Sequence, residues 1–182
     1  QEQEELRAIQ KDKMELRERF CAPLAFGTAG LRGTMKVGLH HMNVHVVRWV
    51  TQGFAEVICA ESDWAGDRKA AVCMDGRKNS RRFAEAAAEV LAANGITVYL
   101  FDGPRPTPEL SFAVRAYGCL AGINITASHN PKEYNGYKAY WCDGAQLQTE
   151  TAMPVSARLE EIDVFAGPKR MDLQRGIELG RI

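Results

Sequence analysis

Reactive side chains are concentrated in residues 126–131, which read Thr-Ala-Ser-His-Asn-Pro and contain Ser128. The residues just before them, 122–126, are mostly small or β-branched, which is typical of a strand buried in a parallel sheet. Pro131 prevents that strand from resuming. Because open α/β sheets bind ligands at the carboxyl ends of parallel strands, this polar loop is the first candidate site.

Ser128 is a candidate nucleophile, but a serine hydroxyl is weak at neutral pH and needs activation. A serine hydrolase is one alternative. However, the Gly-x-Ser-x-Gly elbow of such enzymes is missing, and His129 points the opposite way along an extended backbone. A serine that carries a phosphoryl group fits better. Phosphoserine carries about −1.5 to −2 charges near pH 7 and needs cationic groups around it.

One such cationic group stands in a glycine-rich stretch near the amino terminus. Residues 27–33 read Gly-Thr-Ala-Gly-Leu-Arg-Gly. The glycines let the backbone pass close to a bulky anion, and we expect this stretch to be a loop. Arg32 offers a planar fork of donors that suits a phosphate.

A second cationic group follows the serine loop. Asn135-Gly136 predicts a tight turn, and a strand near 136–142 is expected after it. This folded-back ribbon would place Lys138 beside Ser128.

Both stretches resemble the α-D-phosphohexomutases, the phosphoglucomutase and phosphomannomutase family. Residues 126–131 are similar to the phosphoserine loop of that family, and residues 26–33 are similar to its amino-terminal loop. The resemblance is closest to the phosphoglucomutase branch. It implies an α/β fold, a three-layer α/β/α sandwich with a mainly parallel, mixed sheet, as the first domain of a multidomain phosphohexomutase.

The resemblance also implies a role for each residue. Ser128 would donate its phosphoryl group to a sugar hydroxyl, giving a bisphosphorylated intermediate that reorients and returns the other phosphate to Ser128. Lys138 would be the general base or acid, and His129 a partner that contacts the hydroxyl. Arg32 would lie on the floor of the active site. The implied phosphate- or substrate-binding residues are Gly27, Thr28, Gly30 and Asn130.

A Mg²⁺-dependent isomerase activated by glucose 1,6-bisphosphate is implied as well. Ser128 would touch the metal only through its phosphate, because the family's Asp-x-Asp-x-Asp loop is absent from this chain. The sugar-specificity loop and the carboxyl-terminal phosphate loop are absent too. The expected partners are a hexose phosphate and the remaining domains of a longer parent. We expect the parent to be active and residues 1–182 alone to be inactive.

Other interpretations stay open. The chain could be a non-catalytic α/β module that binds sugar phosphates, or its parent could be a phosphomannomutase or phosphopentomutase of the same family. His40, His41 and His45 suggest a metal site, but no carboxylate or thiol lies at a useful local spacing, and we expect no metal there.

The composition argues against several classes of protein. The 182 residues, 46% hydrophobic and 25% charged, suit one domain. A net charge of zero gives no basic surplus, so neither nucleic acid nor a membrane is an expected partner. No apolar run approaches the ~20 residues of a spanning helix, and there is no signal-peptide pattern. The 5 cysteines have no paired spacing, which indicates reduced thiols and a cytoplasmic location.

The elements expected to position the site alternate between strands and capped helices. We expect an amino-terminal helix over 1–20, the phosphohexomutase domain over 21–163, and a linker toward the next domain over 164–182. The expected helix caps are Asn43, Asn79 or Ser80, Thr107 and Thr151. The expected strands lie near 70–74, 96–101 and 119–126. The expected helices lie near 44–61, between the cap at 79 or 80 and Asn94-Gly95, from Pro108 to about Tyr117, and over 152–163.

Overall fold

The computed structural model describes residues 2–27 and 30–182. Thr28, one of the predicted phosphate-binding residues, lies outside the described residues. The strands are β1 (Leu31–Thr34), β2 (Lys69–Met74), β3 (Thr97–Leu100), β4 (Ala121–Ile125) and β5 (Tyr134–Trp141). The helices are α1 (Glu2–Ile9), α2 (Lys13–Phe20), α3 (Val44–Ala60), α4 (Ser80–Ala93), α5 (Thr107–Ala116), α6 (Thr149–Glu161) and α7 (Leu173–Glu178).

The strands form one mixed sheet in the order β1-β5-β4-β2-β3. β2 pairs in parallel with both β3 and β4. β5 lies antiparallel between β4 and β1, so it alone among these strands runs in the opposite direction. The predicted mainly parallel, mixed sheet is confirmed, and so are its three expected strands.

Helices cover both faces of the sheet, as the predicted three layers require. Successive side chains of β2 point to opposite faces. Val72 and Met74 belong to the larger core, which also contains side chains of α3 and α4. Ala71 and Cys73 belong to a smaller core with side chains of α5.

Some predicted helix ends are confirmed and others are wrong. Asn43 caps α3, because its side chain accepts hydrogen bonds from the backbone N–H groups of residues 45 and 46 at 3.1 Å. Thr107 and Thr151 are not caps, since both lie inside helices that start after Pro106 and Gln148. The Thr107 hydroxyl instead accepts a hydrogen bond from β4.

The predicted turn at Asn135-Gly136 is wrong, because both residues lie inside β5. The chain turns earlier, within residues 128–133. Glycine is needed at 136 for packing rather than for a turn, since a Cβ there would lie 2.6 Å from the Thr126 carbonyl oxygen. The predicted glycine-rich loop is also shorter than expected, because β1 begins at Leu31.

Residues 2–20 form two helices instead of the single predicted helix. The Asp12 side chain accepts hydrogen bonds from the backbone N–H groups of Met14 and Glu15, at 3.0 and 3.1 Å. This cap makes α2 start at Lys13.

The segment predicted as a linker, 164–182, contains α7 and contacts the sheet domain. The Met171 N–H donates to the Glu89 carbonyl at 3.1 Å. The Val98 N–H, on the outer edge of β3, donates to the Arg181 carbonyl at 2.8 Å. These contacts dock the segment on the domain, while the predicted domain boundaries stay predictions. In residues 2–27 and 30–182, no helix combines the length and apolar character needed to cross a bilayer.

Candidate active site

Ser128 lies just beyond the carboxyl end of β4, in an unfavourable backbone conformation. Its φ is 57°, in the left-handed region that glycine adopts most easily. A residue with a side chain pays about 1–3 kcal/mol there and needs support from its surroundings. Part of that support comes from Thr126, whose Oγ1 accepts a hydrogen bond from the Ser128 N–H at 3.0 Å. The Ser128 side chain is exposed and therefore accessible.

Arg77 supplies most of the remaining support for this loop. Its Nη2 donates to the carbonyl oxygens of Ser128 and Asn130, at 2.9 and 2.7 Å. Its Nη1 donates to those of Pro131 and Tyr134, at 2.8 and 3.2 Å. One guanidinium thus gathers the carbonyls of the whole turn between β4 and β5, and this fixes the path of the backbone through Ser128.

Asp75 anchors Arg77 in turn through a salt bridge. The Arg77 Nε donates to Asp75 Oδ2 at 3.2 Å. Asp75 Oδ1 accepts from the Ser80 hydroxyl at 2.7 Å, and that hydroxyl accepts from Asn135 Nδ2 at 3.0 Å. This network joins the end of β2, the start of α4 and β5. Because all five N–H groups of the Arg77 guanidinium are engaged, Arg77 holds the loop and is not free to bind a phosphate.

Arg32 reaches the same loop from β1. Its Nη1 donates to Asn130 Oδ1 at 3.0 Å. The register of β1 and β5 places Arg32 opposite Gly136, whose carbonyl accepts a hydrogen bond from the Thr126 N–H. A Cβ at Gly136 would lie only 3.2 Å from the Arg32 Cβ, so glycine leaves the room that the arginine stem needs.

Lys138 lies on β5, near Arg32 of β1. The backbone at Gly30 passes very close to Lys138. A Cβ on Gly30 would lie 1.9 Å from the Tyr137 carbonyl oxygen and 3.0 Å from the Lys138 Cα. Gly30 has φ 107°, a conformation that strongly favours glycine. Position 30 therefore requires glycine for two independent reasons.

A cavity of about 280 Å³ opens between these elements. The charged side chains in its lining are Arg32 and Lys138, and both are cationic, so the cavity is suited to an anion. Ser128 directly follows Ala127, which is part of the lining. The residues that line the cavity are Ala25, Gly27, Gly30, Leu31, Arg32, Thr126, Ala127 and Lys138.

The predicted site residues that the structure describes are thus close together. Gly27, Gly30, Arg32 and Lys138 line one cavity, and Asn130 is bonded to Arg32. His129 is exposed, and its ring makes no hydrogen bond or ion pair with a residue in the described part of the chain. Their catalytic roles stay predictions. Thr126 is not among the predicted site residues, although a threonine two residues before a turn residue is a known cue for such a hydrogen bond.

A larger cavity, of about 1040 Å³, also borders the turn between β4 and β5. Arg77 and Asn130 line it, together with Glu2 and Glu5 of α1 and residues at the start of α4. Neither Arg32 nor Lys138 contributes to it. We therefore place the candidate active site in the smaller cavity.

His41, one of the three histidines considered as metal ligands, is engaged in other contacts. His41 Nε2 lies 3.0 Å from a Glu18 carboxylate oxygen, and Nδ1 lies 2.9 Å from the Thr34 hydroxyl. Burial lowers the pKa of His41. Across residues 2–27 and 30–182, no three His, Cys, Asp or Glu side chains gather where they could share a metal ion. The described residues therefore do not fit a Mg²⁺ centre by themselves.

The fold and the site together define a class of protein: an α/β/α domain that presents a serine beside a cationic cavity at the carboxyl edge of its sheet. Residues 23–164 match the sequence model of the family described as "Phosphoglucomutase/phosphomannomutase, alpha/beta/alpha domain I". The chain belongs to the phosphoglucomutase/phosphomannomutase family, which confirms the resemblance drawn from the two loops.

Relatives with assigned names agree with this membership. The chain is 44% identical over 153 residues to phosphoglucomutases of Staphylococcus aureus strains USA300 and NCTC 8325, an alignment that covers 84% of this chain and 27% of each relative. The chain therefore spans about a quarter of the length of the relatives that it matches.

Solved structures share the fold. A Thermus thermophilus protein assigned as a phosphomannomutase superposes with a TM-score of 0.70 at 32% identity, covering 84% of this chain and 34% of that one. A phosphoglucomutase/phosphomannomutase family protein of Burkholderia thailandensis superposes with a TM-score of 0.62 at 27% identity, covering 75% and 30%.

Proposed function

We propose that the full-length parent of this chain is a phosphoglucomutase that interconverts sugar 1-phosphates and 6-phosphates through a phosphoserine at Ser128. One observation carries the proposal: an exposed serine is held by Arg77 next to a cavity whose charged side chains are Arg32 and Lys138. The names of the 44% identical relatives support the phosphoglucomutase branch over a phosphomannomutase or phosphopentomutase.

In the proposed reaction Ser128 is phosphorylated in the resting enzyme. A sugar hydroxyl attacks the phosphorus atom, the new sugar O–P bond forms, and the Ser128 Oγ–P bond breaks. We propose that Lys138 is the acid and base of this step: it gives a proton to the departing Ser128 Oγ and receives the proton of the attacking hydroxyl, so that the serine hydroxyl is restored and the lysine ends the step unchanged. The bisphosphorylated sugar then reorients and the step runs in reverse with its other phosphate, which restores phosphoserine.

The described residues contribute charge and position to this step. Arg32 and Lys138 offset the charge on the transferring phosphoryl group, which is the main requirement of phosphoryl transfer. The network of Asp75 and Arg77 keeps Ser128 in place, so that the nucleophile needs no reordering when a substrate arrives. His129 is close in sequence and exposed, and we propose that it contacts a sugar hydroxyl.

The remaining parts of the proposal lie outside the chain. We propose that Mg²⁺ is held by carboxylates of other domains and touches this domain only through the phosphate on Ser128. Glucose 1,6-bisphosphate would phosphorylate Ser128 and so activate the enzyme. A cytoplasmic location and a hexose phosphate substrate are proposed with it.

Radiolabelled glucose 1,6-bisphosphate tests the nucleophile. The parent should retain label after denaturation, and peptide mapping should place it on Ser128. Label that is lost on denaturation would instead support a non-catalytic sugar-phosphate-binding module. Ser128→Ala is the control and should retain none.

A coupled assay from glucose 1-phosphate to glucose 6-phosphate tests the reaction. The parent should turn over, and the 182-residue chain alone should not, since it provides a nucleophile without a metal centre or a complete sugar site. Turnover by the isolated chain would show that the division of the site between domains is wrong.

A further inference from the structure

Asn124 is a polar residue buried in the middle of the sheet, on the strand that leads to Ser128. Only 1% of it is exposed. Its Nδ2 donates to the Thr107 hydroxyl at 2.9 Å, but its Oδ1 makes no hydrogen bond to any residue in 2–27 or 30–182. A buried oxygen without a donor costs about 1–3 kcal/mol, and most such groups in native proteins have one. The structure therefore contains a buried acceptor that is able to take a hydrogen bond.

The neighbours of Asn124 narrow the choice of donor. On one side, the register of β2 and β4 places Cys73 opposite Asn124, and the Cys73 thiol already contacts the Arg105 carbonyl at 3.6 Å. Above the strand, Thr107 is already bonded to the amide nitrogen. The thiol is a weak donor, and the Thr107 hydroxyl is engaged with the other branch of the amide, so neither neighbour is bonded to Oδ1.

On the other side, the register of β4 and β5 places Lys138 opposite Asn124. Residues directly opposite in an antiparallel pair point to the same face, with Cβ atoms about 4.5–5.5 Å apart. The Lys138 ammonium makes no hydrogen bond or ion pair with a residue of the described chain. A free donor and a free acceptor thus stand side by side on one face of the sheet.

We propose that Asn124 is a positioning residue for Lys138, whose ammonium donates a hydrogen bond to the Asn124 amide oxygen. Thr107 holds Nδ2 on the α5 side, which leaves Oδ1 as the branch of the amide available to a donor on β5. The bond holds the lysine head group on the β4 side of the cavity, toward Ala127 and Ser128. Without it the long side chain is free to turn outward past Gly30. The consequence for the reaction rests on the function proposed above, whereas the contact itself does not.

The contact is tested on the 182-residue chain by competitive acetylation with limiting acetic anhydride. Mass spectrometry of peptides gives the ratio of modified Lys138 to modified Lys132, an exposed internal reference. Asn124→Leu should raise this ratio about tenfold, the effect of losing one hydrogen bond to a charged group. Asn124→Asp should lower the ratio, because a carboxylate holds the ammonium more tightly.

Tyr137→Phe is the matched control. Tyr137 is the residue next to Lys138. Its hydroxyl oxygen, like Asn124 Oδ1, is buried and has no hydrogen-bond partner in the described chain, and the substitution removes it. Tyr137 belongs to the opposite core, so the ratio should not change. If Asn124→Leu behaves like Tyr137→Phe, the proposal is overturned. Circular dichroism shows whether Asn124→Leu is folded. If it is not, Asn124→Asp decides: a folded Asn124→Asp chain with an unchanged ratio of modified Lys138 to modified Lys132 overturns the proposal.

The positioning role is tested in the full-length parent. Asn124→Leu should lower kcat about tenfold and leave KM unchanged, because the substrate still binds while the lysine is misplaced. In a Lys138→Met background the same change should have no further effect, because the two residues act as one unit. A wild-type kcat in Asn124→Leu overturns the role. A parent that turns over no sugar phosphate refutes the proposed function and leaves the acetylation result standing.

Discussion

The Arg77 guanidinium donates to the Ser128 carbonyl oxygen at 2.9 Å, although α4, β3, α5 and β4 all lie between these two residues along the chain. The same side chain binds three further carbonyls of the turn. Placement of the candidate nucleophile is therefore determined largely by a residue that does not face the cavity in which the chemistry is proposed.

Arg77→Lys should reduce the kcat/KM of the parent by about tenfold or more while Ser128 remains present. A lysine has three donors and no planar fork, so at least one loop carbonyl loses its partner. Hydrogen exchange of the amides in residues 128–134 should rise in the same variant. Arg158→Lys is the control, because that side chain is half exposed and pairs with glutamates on the surface. Unchanged exchange in Arg77→Lys would contradict the role of the guanidinium.

Ser128→Gly should separate catalysis from stability. The change removes the hydroxyl and should abolish turnover in the parent. It also removes the side chain from a position with φ 57°, which should raise the free energy of unfolding of the chain by about 1 kcal/mol. Ser128→Ala should be equally inactive without the gain in stability. Urea unfolding of the three chains measures the difference, and equal midpoints for Ala and Gly would argue against strain at this position.

Gly30→Ala should destabilise the chain by more than about 2 kcal/mol, toward the upper range for ordinary substitutions. The new methyl would overlap the Tyr137 carbonyl oxygen, and it would push the backbone at residue 30 away from Lys138. Gly118→Ala is the matched control, because Gly118 also has a positive φ but has no atom near the position of a Cβ. That control should cost only about 1 kcal/mol. Equal losses in urea unfolding would show that the close approach at Gly30 is unimportant.

Stability should fall as the pH drops below about 6.5, the ordinary pKa of histidine. Burial lowers the pKa of His41 in the folded chain, so the unfolded chain binds the proton first and unfolding becomes more favourable. The contribution is constant above that pH and is lost progressively below it. His41→Gln should flatten the dependence of the urea midpoint on pH between about 7 and 5. An unchanged slope would mean that other groups dominate this range.

The alternation of elements and the buried strand before Ser128 could be predicted because they depend on local pattern. By contrast, no local pattern in the sequence shows that Asn135-Gly136 is not a turn. That dipeptide has the residues of a tight turn, and its place inside β5 follows from contacts with Ser80 and Thr126, which are distant in sequence. Arg32 and Ser128 were expected together only because of the family resemblance. The Arg77 bonds to loop carbonyls require the path of the turn, which no residue pattern provides.

The docking of residues 171–182 has a consequence for solubility. β3 is an edge strand, and unpaired N–H groups on such an edge can recruit a strand from another molecule. The Arg181 carbonyl occupies the outward N–H of Val98, so the last turn of the chain blocks part of that edge. A chain shortened before Met171 would expose this edge as a template for intermolecular β-pairing, and it would also uncover the core side chains against which Met171 and Ile182 pack, so its tendency to aggregate should rise.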